Sequence, residues 1–132
     1  MDFQSKIEFS LSDEDILILE EMLVDSYREY ERNVPCELWE KYEQELREVR
    51  VRLQDPNHVQ CILRNSASLK IVGCVSLYKG APEQHIQQFP PKTAYVRFLA
   101  LSPTVRGKKL GTVLMKSIIA FAKDQGMEHL AS

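Results

Sequence analysis

Residues 96–114 read VRFLALSPTVRGKKLGTVL, and the order of residue types in this stretch decides the fold. Val96, Phe98 and Ala100 alternate with their neighbours as in a strand, and Ser102-Pro103 bends the chain away. A short basic turn follows, Arg106-Gly107-Lys108-Lys109-Leu110-Gly111-Thr112. An amphipathic helix then starts at once, with Val113, Leu114, Ile118, Phe121 and Ala122 on one stripe and Gly126 as its C-cap. A turn of free backbone N–H groups at a helix N-terminus is a ready anion site. Arg106, Lys108 and Lys109 add positive charge where a phosphate would sit. The expectation is a phosphorylated ligand held at this turn.

The rest of the chain supplies a scaffold for that unit. Lys6–Ser10 predicts a first strand. Ser12 followed by Asp13, Glu14 and Asp15 predicts a helix start, with Ile16, Leu19, Leu23, Ser26, Tyr27 and Tyr30 on one face. Asn33-Val34-Pro35 breaks it, and Leu38, Trp39, Tyr42, Leu46, Val49 and Leu53 predict a second helix that ends at Asp55-Pro56. Trp39 and the tyrosines read as core anchors. Val59–Arg64 and Leu69–Tyr78 flank the turn-forming Asn65-Ser66-Ala67-Ser68 and read as a hairpin, with Gly73 marking a bulge or a close backbone approach. Lys79–Lys92, with three prolines and His85, reads as a long loop of the kind that lines a groove. Thr93–Leu101 is the next strand, and Met127–Ser132 can begin another.

Composition narrows the function classes. With 132 residues, 44% hydrophobic, the chain fits one small domain. The net charge of −2 conceals two unlike halves. Residues 1–55 hold sixteen acids and seven bases; residues 56–132 hold three acids and ten bases. The basic half suits an anionic ligand but is too sparse in aromatics for nucleic acid. Cys36, Cys61 and Cys74 are odd in number and lack metal or disulfide spacing, and His58, His85 and His129 have no metal-like spacing either. Together with the absence of a signal or membrane-length apolar run, this predicts a cytoplasmic, membrane-free, metal-free protein.

Two phosphate loops are excluded on residue order. The nucleotide-hydrolase loop needs Gly-Lys-Ser/Thr, and the order here is Lys109-Leu110-Gly111-Thr112. The dinucleotide fingerprint needs three spaced glycines, and Gly107 and Gly111 do not meet it. Leu99–Gly111 instead closely resembles the main cofactor motif of the GNAT superfamily of N-acetyltransferases: a strand, a proline bend, then Arg/Gln-x-x-Gly-x-Gly/Ala opening a helix. The order of elements ahead of it is similar too, over nearly the whole chain.

That resemblance implies an α/β (α+β) fold. Its central sheet is mixed, mostly antiparallel and flanked by helices, in the order β-α-α-β-β-β-α-(β), as a single domain over residues 1–132. It implies acetyl-CoA as co-substrate and a primary amine as acceptor, either a small molecule or a peptide. In relatives this strand splays at a bulge, so by resemblance the exposed backbone of Leu99, Ala100 and Leu101 would pair with the pantetheine arm, and the Leu101 N–H would polarise the thioester carbonyl. Arg106, Gly107, Lys108, Lys109, Leu110, Gly111 and Thr112 would hold the pyrophosphate.

The sequence departs from the family in three places. Lys109 stands at the first motif glycine. It costs about 1–2 kcal/mol if that position needs positive φ, and otherwise adds a cation for phosphate. Thr93–Arg97 carries no acid where relatives place a glutamate base, which leaves Tyr95 as a weak substitute and Arg97 as a partner for the acidic helices. Relatives also continue past residue 132 with a full fifth strand, a fourth helix and closing strands. A chain without that part is expected to cover its exposed sheet edge as a homodimer. The alternative function is a non-catalytic protein that binds CoA or self-associates.

Overall fold

In the computed structural model, Asp2–Gly80 and Lys92–Ala131 are described. Most of the predicted Lys79–Lys92 loop, His85 included, lies outside these residues. The elements are β1 (Phe3–Ile7), α1 (Asp13–Tyr27), a 3₁₀ turn (Arg28–Arg32), α2 (Cys36–Leu46), α3 (Val49–Gln54), β2 (His58–Asn65), β3 (Ile71–Tyr78), β4 (Thr93–Leu101), a second 3₁₀ turn (Pro103–Val105), α4 (Leu110–Asp124) and β5 (His129–Ala131). The five strands form one sheet in sequence order. Four are antiparallel, and β5 joins β4 in parallel at Thr93–Tyr95. This is the mixed, mostly antiparallel sheet that the sequence predicts. Among the described residues no helix is long and apolar enough to cross a membrane.

Each face of the sheet has its own core. Helices α1–α3 cover one face, where Leu19, Leu23, Trp39, Leu46 and Val49 meet Ile62, Cys74, Phe98 and Ala100. Helix α4 covers the other, where Leu110, Leu114, Ile118 and Ala122 meet Val59, Cys61, Val75, Leu77, Ala94 and Val96. Cys61 and Cys74 lie on adjacent strands and face opposite ways, both fully buried. Burial pushes the Cys74 thiol up to about 12, so it packs as a small apolar group.

Local chemistry explains where the elements stop. The Ser12 hydroxyl accepts from the Asp15 N–H at 3.1 Å and caps α1, with Asp13, Glu14 and Asp15 in the first turn. The predicted second helix is two helices. Helix α2 ends at Leu46 because the Arg52 guanidinium turns back and donates to the Glu45 and Leu46 carbonyls, satisfying its last acceptors. The first strand starts earlier than predicted, at Phe3, because Phe3–Ile7 pair with Cys61–Asn65. Val113, predicted on the apolar stripe of α4, is exposed; Leu110 is buried there instead.

Arg64 ties three elements at one end of the sheet. It is bidentate to Glu8 at 2.8 and 2.9 Å and also reaches Asp15 at 2.9 Å. All three side chains are mostly buried, so this cluster is screened less than a surface pair.

The controlling irregularity is in β4. Arg97 faces Ser76, yet Ala100 faces Cys74, so Phe98 and Leu99 together oppose Val75. This is a β-bulge with Phe98 in the left-handed region at φ 59°. The extra residue reverses side-chain parity: Ala94 and Val96 face α4, whereas Phe98 and Ala100 face α1–α3. A left-handed phenylalanine costs about 1–2 kcal/mol. Its ring offsets that cost, with the guanidinium groups of Arg52 at 4.6 Å and Arg97 at 4.4 Å from its centre. Arg97 is held in turn by Glu45 at 2.8 Å, the pairing with the acidic helices that the sequence suggests.

Two outcomes follow from this packing. Phe98→Leu keeps the strained backbone but loses both cation contacts and leaves a void, so urea unfolding should show a loss of about 2 kcal/mol. Burial, then the nearby Arg52 charge, hold the His58 imidazole down to about 4, with its Nε2 2.9 Å from Ser76 Oγ. The unfolded chain takes up this proton near 6.5 and the folded chain only near 4, so stability is present above pH 6.5 and is lost as pH falls through that window. Thermal melts at pH 7 and pH 4 should show a smaller acid-induced drop in His58→Gln than in the parent.

Candidate functional site

The far half of β4 presents an open edge. The Ser102 N–H donates to Val72 O at 2.8 Å, so Ser102 and Val72 form a hydrogen-bonded pair. By the alternation of an antiparallel ladder, the Leu101 N–H and C=O then point away from β3. Among the described residues, β5 pairs with β4 only as far as Tyr95, and no strand covers residues 97–101 on that side. The bulge also turns Leu99 outward, where it is exposed. Its carbonyl accepts from the Tyr27 hydroxyl at 3.2 Å, a contact 72 residues apart in sequence. Burial, the largest cause, pushes the Tyr27 hydroxyl up to about 12 and keeps it a donor.

Beyond β4 the basic turn is wound tightly. Gly107 has φ 84° and Lys109 φ 59°, so two of its residues are left-handed. The position where the family motif has glycine does require positive φ, and lysine occupies it. Lys109 is also the N-cap of α4, and its side chain does not cap the first N–H groups of that helix. They remain oriented toward whatever lies before the helix. A Cβ added at Gly107 would meet nothing within 4 Å, and one at Gly111 only Leu101 Cδ1 at 3.9 Å. These glycines are therefore not small because of internal packing; the space in front of them is open. Gly73 is the opposite case: a Cβ there would lie 2.8 Å from Leu101 Cδ2, so Leu101 would have to shift. Leu110 is buried beneath the turn, and Thr112 is exposed.

The three cations of the turn behave differently. The Arg106 guanidinium donates to Leu101 O at 3.3 Å and to Ser26 Oγ at 3.4 Å, so it braces the strand end against α1. Lys108 Nζ lies 6.0 Å from the Phe3 ring centre. Lys109 is exposed at the helix start.

Two depressions are linked by the Tyr27–Leu99 hydrogen bond. A groove of about 390 Å³ is lined by Leu99, Ala100, Leu101, Arg106, Ser26, Asp25 and Glu29. A cleft of about 320 Å³ is lined by Tyr27, Tyr30, Val34, Leu38, Trp39 and Tyr42. Tyr27 belongs to the cleft and bonds to Leu99, a wall of the groove. The structure thus brings Leu99, Ala100, Leu101 and Arg106 together on one groove and sets Gly107–Thr112 beyond it. Sequence reading missed Asp25, Glu29 and Tyr27. The only signal was the position of Tyr27 on the predicted apolar face of α1. Among the described residues no group of three His, Cys, Asp or Glu side chains is placed to hold a metal ion.

Against this geometry, a sequence profile of the acetyltransferase (GNAT) family matches residues 19–132. The chain belongs to the GNAT family. No curated protein matches it to a significant degree. Solved structures agree on the fold of this GNAT chain. PaiA N-acetyltransferase from Thermoplasma acidophilum, in complex with coenzyme A, is 20% identical with a TM-score of 0.66, over 96% of this chain and 76% of its own. A predicted acetyltransferase from Clostridium acetobutylicum, solved with acetyl-CoA, is 14% identical with a TM-score of 0.66, over 99% and 80%. Glucosamine-6-phosphate N-acetyltransferase from Arabidopsis thaliana is 17% identical with a TM-score of 0.61, over 100% and 82%.

Lys109 offers a direct test of the turn in this GNAT chain. A β-branched side chain is strained in the left-handed region, so Lys109→Val should lower stability by about 1–2 kcal/mol in urea unfolding. Lys109→Asn, which tolerates that region, should stay within about 0.5 kcal/mol of the parent.

Proposed function

We propose that this chain is an N-acetyltransferase that moves an acetyl group from acetyl-CoA to a primary amine, with residues 1–132 acting as one domain. The observation that carries this reading is a single continuous constellation. The bulged, uncovered edge at Leu99–Leu101 leads into a left-handed turn and the start of α4, in a chain of the GNAT family. The neighbours solved with coenzyme A and acetyl-CoA support it.

The open space at Gly107 and Gly111 fits a pyrophosphate. The backbone N–H groups of Gly107–Thr112 would hold it, aided by the charges of Lys108 and Lys109 and by the α4 dipole. Leu99, Ala100 and Leu101 would bind the pantetheine arm along the strand edge, with Arg106 bracing that edge. Acetyl-CoA, when bound, supplies the activated acyl group. The Leu101 N–H offers a fixed donor to a carbonyl oxygen that gains charge during acyl transfer. Asp25, which lies 3.5 Å from Arg28, and Glu29 are the carboxylates of the groove and would attract an incoming ammonium.

The acid missing from Thr93–Arg97 favours one alternative, a CoA-binding protein without turnover. In either case we place the protein in the cytoplasm, on its three free cysteines. We also assign any self-association to the β5 edge, where Leu130 and Ile119 are exposed.

Calorimetry with acetyl-CoA and a free-thiol assay with a panel of amines test the proposal. Gly111→Glu puts an acid in the first turn of α4, which suits the helix but repels phosphate. It should melt like the parent yet bind acetyl-CoA at least about tenfold more weakly. Thiol release is expected with at least one amine. Binding without release would leave the non-catalytic reading, and absence of binding would overturn both.

A further inference from the structure

The aromatic cleft has no part in the cofactor reading, yet it opens beside the strand that would carry the acyl group. Four aromatic side chains form its wall. Tyr27 stacks on Tyr30 at 5.9 Å, Tyr42 meets Tyr27 edge-on at 5.7 Å, and Trp39 lies 6.4 Å from Tyr42. Val34 and Leu38 complete it. A purely structural cluster would be closed over, but Leu38 is 55% exposed and Tyr30 47% exposed. The six lining residues include no charged side chain, and the Tyr27 hydroxyl is already committed to Leu99 O.

We infer that this cleft takes the body of the acceptor, and that the acceptor is a primary amine carrying one aromatic or branched aliphatic group. The inference rests on the acetyltransferase reading and adds the substrate class to it. Three observations select this occupant. First, volume: about 320 Å³ exceeds the roughly 150 Å³ that accommodates a benzene ring, leaving room for a short alkyl tail. Second, charge: no charged side chain lines the cleft, the nearby Glu45 is paired with Arg97 at 2.8 Å, and Asp25 and Glu29 line the adjoining groove, so one ammonium is matched at that end. A linear polyamine would set its further cations against uncharged walls. A polyhydroxylated aminosugar would leave hydroxyls unpaired there. Third, continuity: the Tyr27–Leu99 hydrogen bond joins cleft to strand, so an amine whose ring fills the cleft has its nitrogen directed toward the Leu99 edge.

Trp39 is the only tryptophan of the chain and lies in the cleft wall, so its fluorescence reports occupancy independently of turnover. With coenzyme A present, phenethylamine and isoamylamine should shift Trp39 emission saturably, while ethylamine and spermidine at equal concentration should not. In the thiol assay, phenethylamine should exceed ethylamine in kcat/KM by at least about tenfold. Leu38→Asp, at an exposed position of the wall, should weaken the phenethylamine shift about tenfold or more and leave acetyl-CoA calorimetry unchanged. Equal responses to phenethylamine and ethylamine, or a preference for spermidine or an aminosugar, would overturn the inference. A phenethylamine shift without thiol release from any amine would instead overturn the transferase reading, and the acceptor role with it.

Discussion

One extra residue in β4 organises this molecule. Without the bulge at Phe98–Leu99, the strand would run in register with β3 along its whole length and keep one parity from Thr93 to Leu101. Ala100 would then face α4 and Leu101 the other helices. With the bulge, Leu101 packs toward α4 beside Gly73, and its N–H looks out along an uncovered edge. The strain is localised in a single backbone position. The two guanidinium groups on the Phe98 ring hold it there, and each is fixed from outside the strand. Arg52 comes from α3 and seals the end of α2; Arg97 is anchored by Glu45 of α2. The break in the predicted second helix and the irregularity of β4 therefore share one contact, Arg52.

The two charged halves of the sequence settle into different jobs. The acids of the first half are spread along α1 and α2, where several meet arginines: Arg47 with Glu21 and Glu43, Arg50 with Asp13, Arg64 with Glu8 and Asp15. The exposed pairs contribute little to stability. Their larger effect is a sign boundary: Asp25 and Glu29 mark the acidic side of the groove, and the turn at Arg106–Lys109 marks the basic side. A ligand with a cationic and an anionic end is oriented by that boundary before it is bound.

Much of this was legible in the residues. Apolar, β-branched runs marked β2, β3 and β4, because these strands are buried on both faces, and period 3.6 marked the main helices, each of which buries one face; β1 lies three residues before its predicted place. Ser12 announced the start of α1, and the Arg106–Thr112 turn announced its own geometry through Gly107 and Gly111. The break between α2 and α3 was not legible, since the apolar spacing from Leu38 to Leu53 continues through it and the cause is a long-range arginine. The family resemblance points to a bulge at Leu99–Leu101, but its left-handed residue was not legible, because Phe98 has no local propensity for positive φ and its ring meets Arg52, 46 positions earlier. Tyr27 was read as a core anchor; only the folded chain shows its hydroxyl reaching Leu99. Lys109 posed a question that sequence could state and backbone geometry could answer.

The Tyr27–Leu99 hydrogen bond carries a thermodynamic obligation. It is a shared boundary between two depressions, so any ligand that moves the Tyr27 ring alters the edge at Leu99, and any ligand that straightens that edge alters the ring. Linkage requires the two effects to be equal in free energy whichever ligand arrives first. For any pair of ligands placed on the two sides of this contact, the order of arrival is a matter of rates, whereas the coupling free energy is the same on either route.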